Sequence, residues 1–363
     1  MQRIFYYLLI SCILLFSCSD AKQGDLLEIP IDIDKNNSLP LSEIAEDITA
    51  IELELTDESL INPDNVNSIH LFEKYIIVGQ TFKILVFNKD GKFIRSISSR
   101  GQGPGEYTGI QSISMDEKNN RLFVNASPKI ICYDLNGRLL KETRLFSAED
   151  INYINNELLI IVNNYHNYSK GVYSQPVLFH LNDDLQVVDS CTIRDLYMEG
   201  TERGGMILIP NNLILKGNTS IYIYYGDFFF SFDNSTEKIL YDTLYRFEKN
   251  HLIPDLKLEF KDDKIGKSIS ISNIYRSLRY IFTKYNNDNT HRGDDCFFCY
   301  DTKTGKGYNT QNGFTDDINK IEKRVKIHPL KSDTEMFYYL HTNMKPDDLE
   351  EPNPTLYIGK LKK

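Results

Sequence analysis

Short apolar runs of four to six residues, separated by polar turns, fill most of the chain, and one such unit recurs. Lys83-Ile84-Leu85-Val86-Phe87-Asn88, followed by Asp90-Gly91 and Phe93-Ile94, returns as Lys129-Ile130-Ile131-Cys132-Tyr133-Asp134 with Asn136-Gly137 and Leu139-Leu140. Phe87 thus maps onto Tyr133, and an equal step reaches Phe179 within residues 176–185, where that register sets Asp183 at the glycine position. An apolar strand, an Asx-Gly turn and a second strand make a strong short-range hairpin signal. Looser copies follow at residues 228–240, with the turn Asp233-Asn234-Ser235, and at 296–306, with Thr304-Gly305. The wide gap between them holds two further strand-like runs, residues 242–247 and 271–276.

Hairpins repeating every 40 to 50 residues have the period of β-propeller blades. At roughly 50–60 residues per blade the chain holds six or seven of them. Residues 26–33 and 355–361 also read as strands, and pairing the chain ends within one blade would close the ring and remove exposed edges. Helical signal is confined to residues 41–46 and 255–260, each a turn or two, and neither is amphipathic over three turns. The expected fold is therefore all-β, with four-stranded antiparallel blades. A two-sheet sandwich leaves the repeat unexplained.

The N-terminus follows a different pattern. Arg3 precedes an apolar run over residues 4–16, which ends at Leu15-Phe16-Ser17-Cys18. That is the layout of a removable export signal, and a small residue before cysteine is the processing pattern of bacterial lipoproteins. The run is too short for a spanning helix, which needs about 20 apolar residues. Residues 1–17 are expected to be the signal peptide, 18–25 a tether lipidated at Cys18, and 26–363 a single propeller domain. Acyl chains contribute about 0.8 kcal/mol per buried CH2, so the expected partner is a membrane, held through the lipid anchor. With Ser19 after Cys18 and only Asp20 as nearby acidity, the expected location is the outer membrane, with the leaflet left open.

A formal net charge of −10 with scattered basic residues lacks the footprint of a nucleic-acid binder. The 23 Tyr and 20 Phe, with no Trp, suit strands. Outside Cys12 and Cys18, four cysteines remain: Cys132, Cys191, Cys296 and Cys299. Cys296 and Cys299 form a CxxC, but in a strand residues three apart face opposite sides, which argues against a redox or metal pair. Cys132 falls at an apolar strand position, as a small buried hydrophobe would.

Gly101-Gln102-Gly103-Pro104-Gly105-Glu106-Tyr107, then Ile113–Asp116, Arg121-Leu122-Phe123-Val124 and the run to Asn136-Gly137, resembles one full NHL-type propeller repeat. With the lipoprotein signal, the alternating Ile51-Glu52-Leu53-Glu54-Leu55, and residues 274–285 and 353–362, the whole chain is similar to the bacterial six-bladed β-propeller lipoproteins, NHL-like and TolB-like in fold. The resemblance implies six blades and an envelope location, and it implies no reaction. The last three blades depart from the repeat pattern.

Candidate chemistry is sparse. The glycines of residues 101–105 lack the third glycine of a dinucleotide loop, and Glu106 would repel phosphate, so an inter-blade connection is expected. Residues 288–295 are dense in oxygen ligands, but Arg292 interrupts them and no terminal Glu follows, which favours a hairpin tip over calcium. With no HExxH and no GxSxG, no metal site and no cofactor are expected. Asn163, Asn164, Tyr165 and His166 combine amides with rings, a set suited to a polar ligand such as a sugar, and Arg203 lies in a second glycine-rich stretch. The expected role is an envelope-anchored module that binds a polar small molecule, a glycan or an envelope protein, in nutrient uptake or outer-membrane assembly. The alternative is a propeller enzyme, a metal-dependent hydrolase, lactonase or lyase, with its site in the central channel.

Overall fold

The computed structural model describes residues 26–97, 100–144, 147–168, 171–199, 206–208, 213–226, 228–230, 241–261, 269–287, 295–343 and 352–363. It is a six-bladed β-propeller of four-stranded antiparallel sheets. Blade 1 runs from the axis outwards through Val66–Leu71, Tyr75–Gln80, Lys83–Asn88 and Phe93–Ile97. Blade 2 comprises Ser112–Asp116, Arg121–Ala126, Lys129–Asp134 and Leu139–Arg144. Blade 3 comprises Ala148–Ile154, Glu157–Tyr168, Gly171–Leu181 and Val187–Thr192. Blade 4 holds Ile214–Lys216, Ile221–Ile223, Thr243–Glu248 and His251–Phe260, and blade 5 holds Ile269–Arg276, Tyr280–Asn287, Cys296–Asp301 and Lys306–Gln311. Blade 6 joins His328–Leu330, Asp333–His341 and Thr355–Leu361 to Ala45–Glu52.

The ring is closed by that last pairing, in which Ala45–Glu52 runs antiparallel to Thr355–Leu361. The first strand, Leu27–Ile31, instead adds in parallel to the outer edge of blade 4, with Leu27 beside Leu256 and Ile31 beside Phe260. Closure between the chain ends is thus made by the second N-terminal strand, while the first caps an edge two blades away. Residues 255–260, expected as a helical turn, belong to the fourth strand of blade 4. There Leu256 and Leu258 are buried with a period of two, and the new edge strand supplies backbone partners. The other expected turn forms, as the single helical turn Leu41–Ile44.

Each interface between neighbouring blades carries one apolar cluster, and the strand pattern explains why. In Ile76-Ile77-Val78 all three side chains are buried, because alternate residues face different neighbours. Ile77 packs with Ile113 and Val124 of blade 2, while Ile76 and Val78 pack with Tyr338 and Leu356 of blade 6. Such strands read as continuous apolar runs.

The sequence repeat has a physical cause in the turn after the third strand. The Asn88 Oδ1 accepts from the backbone N–H groups of Asp90 and Lys92 at 3.0 and 2.8 Å. Asp134 does the same for Asn136 and Arg138, both at 2.9 Å, and Asn182 for Asp184 and Gln186 at 2.9 and 3.0 Å. Gly91 (φ 81°) and Gly137 (φ 82°) sit in the left-handed region, and in the third copy that place falls to Leu185 (φ 58°), not to Asp183. A Cβ at Gly91 would stand 2.0 Å from the Glu52 carbonyl oxygen of the ring-closing strand, whereas at Gly137 the nearest atoms lie 3.6 Å away. Gly137→Ala should therefore lose only about 1–2 kcal/mol, the left-handed cost. Gly91→Ala should lose about 1 kcal/mol or more beyond that from overpacking. Urea midpoints check the order, and equal shifts would contradict the contact with the closing strand.

Candidate functional site

The inner strands bring polar side chains to the axis. Asp150 of blade 3 and Lys331 of blade 6 are 1% and 3% exposed and form an ion pair, although 181 residues separate them in sequence. Blades 3 and 6 stand opposite each other in a six-membered ring, so this contact spans the centre. The Lys331 ammonium also donates to the Ile151 carbonyl at 2.9 Å, and the second Asp150 oxygen accepts from the Leu213 and Ile214 amides of blade 4 at 2.9 and 3.0 Å. Asn152 donates to the Ile214 and Lys331 carbonyls at 3.0 and 3.1 Å and accepts from Ser114 of blade 2 at 2.9 Å. Blades 2, 3, 4 and 6 are thereby tied across the axis, and the channel is filled there by its own side chains. His70 of blade 1 is buried, stacks on Phe72 with ring centroids 6.0 Å apart, and has its pKa pushed down to about 3 by burial and by the Lys331 charge.

An open cleft among the described residues lies off the axis. A cleft of about 460 Å³ separates blades 4, 5 and 6, lined among others by Tyr222, Arg246, Asp255, Arg276, Leu278 and Glu335. Tyr222, Arg276, Leu278 and Glu335 belong to or flank the turns joining first to second strands of their blades, and Arg246 and Asp255 come from the paired third and fourth strands of blade 4, so the cleft opens on that face of the ring. Arg276 donates to Asp255 at 2.6 Å, and Arg246 is ion-paired with Glu248 at 2.7 Å and with Asp255 at 3.6 Å. One Glu335 oxygen accepts from the Leu278 amide at 2.7 Å. The other is buried without a hydrogen-bond partner among the described residues. Burial raises the Glu335 pKa, and Asp333 adds to the shift.

Asn163, Asn164, Tyr165 and His166 lie in the long second strand of blade 3, Glu157–Tyr168, paired with Gly171–Leu181. Asn163 exchanges hydrogen bonds with Ser174 at 3.0 and 3.2 Å, Asn164 donates to Gln175 at 3.3 Å, and His166 stacks on Tyr173. The two amides are thus engaged across the hairpin, and this group is not brought to the cleft. Cys18, Arg203 and residues 288–294 lie outside the described residues. Asp295, which ends the oxygen-rich stretch, is held by Lys284 at 2.9 Å and Lys326 at 2.6 Å. Cys296 and Cys299 are not disulfide-bonded to each other and pack into different clusters on opposite sides of blade 5. Cys132 is free and buried, with its thiol pushed up to about 11. The glycine-rich connection fills itself: Glu106 accepts from the Gly103 amide at 2.8 Å, and the buried Lys129 donates to the Gly103 and Glu106 carbonyls at 2.7 and 3.2 Å. Among the described residues no three His, Cys, Asp or Glu side chains come together as a metal-ligand group, and no helix is long and apolar enough to cross a membrane.

The ring, its filled axis and the cleft between blades define a six-bladed β-propeller. The chain belongs to the DUF4934 family, described as a domain of unknown function, which matches residues 26–362. It is similar in structure to a protein from Bacteroides fragilis NCTC 9343 provisionally described as exported, with a TM-score of 0.65 and 17% identity over 93% of this chain and 100% of that one. A member of the DUF4221 family from Bacteroides vulgatus is 11% identical, with a TM-score of 0.46 over 90% of this chain and 99% of that one. No curated protein matches the chain.

Neither the clasp at the axis nor the cleft is announced by a linear motif. Their members are spread over several blades and share no linear spacing. A usable signal was the alternation of small polar residues in otherwise apolar inner strands, Ser112 and Ser114 in blade 2 and Asp150 and Asn152 in blade 3.

Proposed function

We propose that the protein is an envelope-anchored binding module, a propeller tethered to the outer membrane through a lipidated Cys18 and holding a polar small molecule, a glycan or an envelope protein on its loop faces. The observation that carries this reading is the contrast between an axis closed by Asp150 and Lys331 and a polar cleft left open between blades 4, 5 and 6. A binding role needs a preformed concave site with a few placed polar groups, which the cleft supplies. The signal pattern ending at Cys18 supports export, as does the likeness to a protein described as exported. Asn163, Asn164, Tyr165, His166 and Arg203 stay in this reading as a second proposed contact surface. The propeller-enzyme alternative has no comparable observation behind it.

Expressed in a bacterial host, the full chain should take up labelled palmitate and sediment with membranes, and Cys18→Ala should do neither. Undiminished labelling of Cys18→Ala would overturn the anchor.

A further inference from the structure

We propose that the cleft between blades 4, 5 and 6 binds an uncharged polyhydroxyl compound, a mono- or disaccharide in class. This rests on the binding-module reading and narrows its ligand. The charges in the cleft balance. Arg246 and Arg276 enter the cleft together with Asp255 and Glu335, two cations against two carboxylates. Asp255 holds both guanidinium groups, Arg276 at 2.6 Å and Arg246 at 3.6 Å, and Glu248 holds Arg246 a second time at 2.7 Å. An anionic ligand would meet arginines already neutralised and Glu335 opposing it. A cationic ligand would find Asp255 and Glu248 already paired with the arginines.

A hydroxyl group suits both halves of such a site, because it donates to a carboxylate and accepts from a guanidinium, whose five N–H donors exceed what one carboxylate takes. Glu335 supplies the acceptor: one oxygen is fixed by the Leu278 amide, and the other is buried and lacks a partner among the described residues. A buried acceptor left unpaired costs stability, and a turn of the half-buried Glu335 carboxylate towards a ligand hydroxyl in the cleft would relieve that cost. Tyr222, Leu27 and Leu278 add ring and aliphatic surface of the kind that packs against the C–H face of a sugar. The volume, about 460 Å³, falls within the roughly 300–1,000 Å³ range of ligand pockets.

The test is calorimetric titration of the full chain, in a detergent without a sugar headgroup, with glucose, galactose, N-acetylglucosamine and maltose beside glucuronate, glucosamine and inorganic phosphate. At least one neutral sugar should bind saturably, and the charged probes at least tenfold more weakly. Glu335→Gln keeps an acceptor for the Leu278 amide and should weaken binding at least tenfold. Thr219→Trp, at the exposed lip of the cleft, should abolish it. Glu335→Gln should keep or raise the urea midpoint at pH 7, because a carboxyl whose pKa is raised on folding loses stability as pH rises through that value. Failure of every neutral sugar to bind, or binding indifferent to both substitutions, would overturn the inference. Binding of glucuronate, glucosamine or phosphate alone, still blocked by Thr219→Trp, would overturn the ligand class and leave the binding-module reading standing.

Discussion

Lys331→Met should lower the stability of the protein by about 3–5 kcal/mol, because it leaves Asp150 as an uncompensated charge at the centre of the ring. Asp150 is 1% exposed and accepts from the Leu213 and Ile214 amides as well as from Lys331, so it cannot turn to solvent without breaking blade 4 from blade 3. Asp150→Asn should cost less, since an amide oxygen can still accept from the backbone of blade 4, but it strands the Lys331 ammonium. The double variant Asp150→Asn/Lys331→Met should be more stable than the sum of the two losses predicts, by about 1–3 kcal/mol, as residues in direct contact are coupled. Urea unfolding of the four proteins gives the cycle. Additive losses would mean that the two side chains do not meet across the axis.

The second large effect is acid sensitivity through His70. Its pKa is about 3 in the folded protein because burial and the nearby Lys331 charge disfavour the imidazolium, against about 6.5 in the unfolded chain. The sign follows from proton uptake: between those two values the unfolded chain binds a proton that the folded protein refuses. Stability is therefore present in full above about pH 6.5 and is lost as pH falls towards 3. From pH 6.5 to pH 4 the loss is about 3 kcal/mol, at roughly 1.4 kcal/mol per unit.

His70→Leu removes this linkage. It should be less stable than the parent at pH 7, having lost the stack on Phe72 and the hydrogen bond to the Ile113 backbone. It should also lose about 3 kcal/mol less on acidification to pH 4. His328, on the inner strand of blade 6, is exposed, so His328→Leu should change the acid slope less. An unchanged slope in His70→Leu would rule out His70 as the acid-sensitive group.

The propeller was legible because its first three blades repeat one piece of local chemistry. Asn88, Asp134 and Asn182 each bind two backbone amides of the turn that follows, and a turn that needs Asx and a left-handed residue leaves a mark in sequence. The mark fades in blade 4, where the turn is made by Lys249 and Asn250, both at positive φ, with no Asx before them. Ring closure was half legible. The first N-terminal segment reads as a strand, whereas Ala45–Glu52 joins the end of an expected helical turn to the start of an alternating run, and only the three-dimensional path decides that it meets Thr355–Leu361 while Leu27–Ile31 covers blade 4. The cleft was not legible at all, since Arg246, Asp255, Arg276 and Glu335 become neighbours only once three blades are in place. Asp150 and Lys331 left a weaker trace, as charges inside apolar strand context with no local partner.

The closed axis is what assigns ligand binding to the loop faces, and lysine labelling tests it most directly. Treating the native full chain with an amine-acylating reagent and reading each lysine by mass spectrometry compares Lys331, 3% exposed, with Lys92, whose side chain is 68% exposed. A closed axis requires Lys331 to stay unmodified until the protein is unfolded, while Lys92 reacts fully under native conditions. Modification of Lys331 in the native protein at a rate close to that of Lys92 would show an open channel and contradict the assignment.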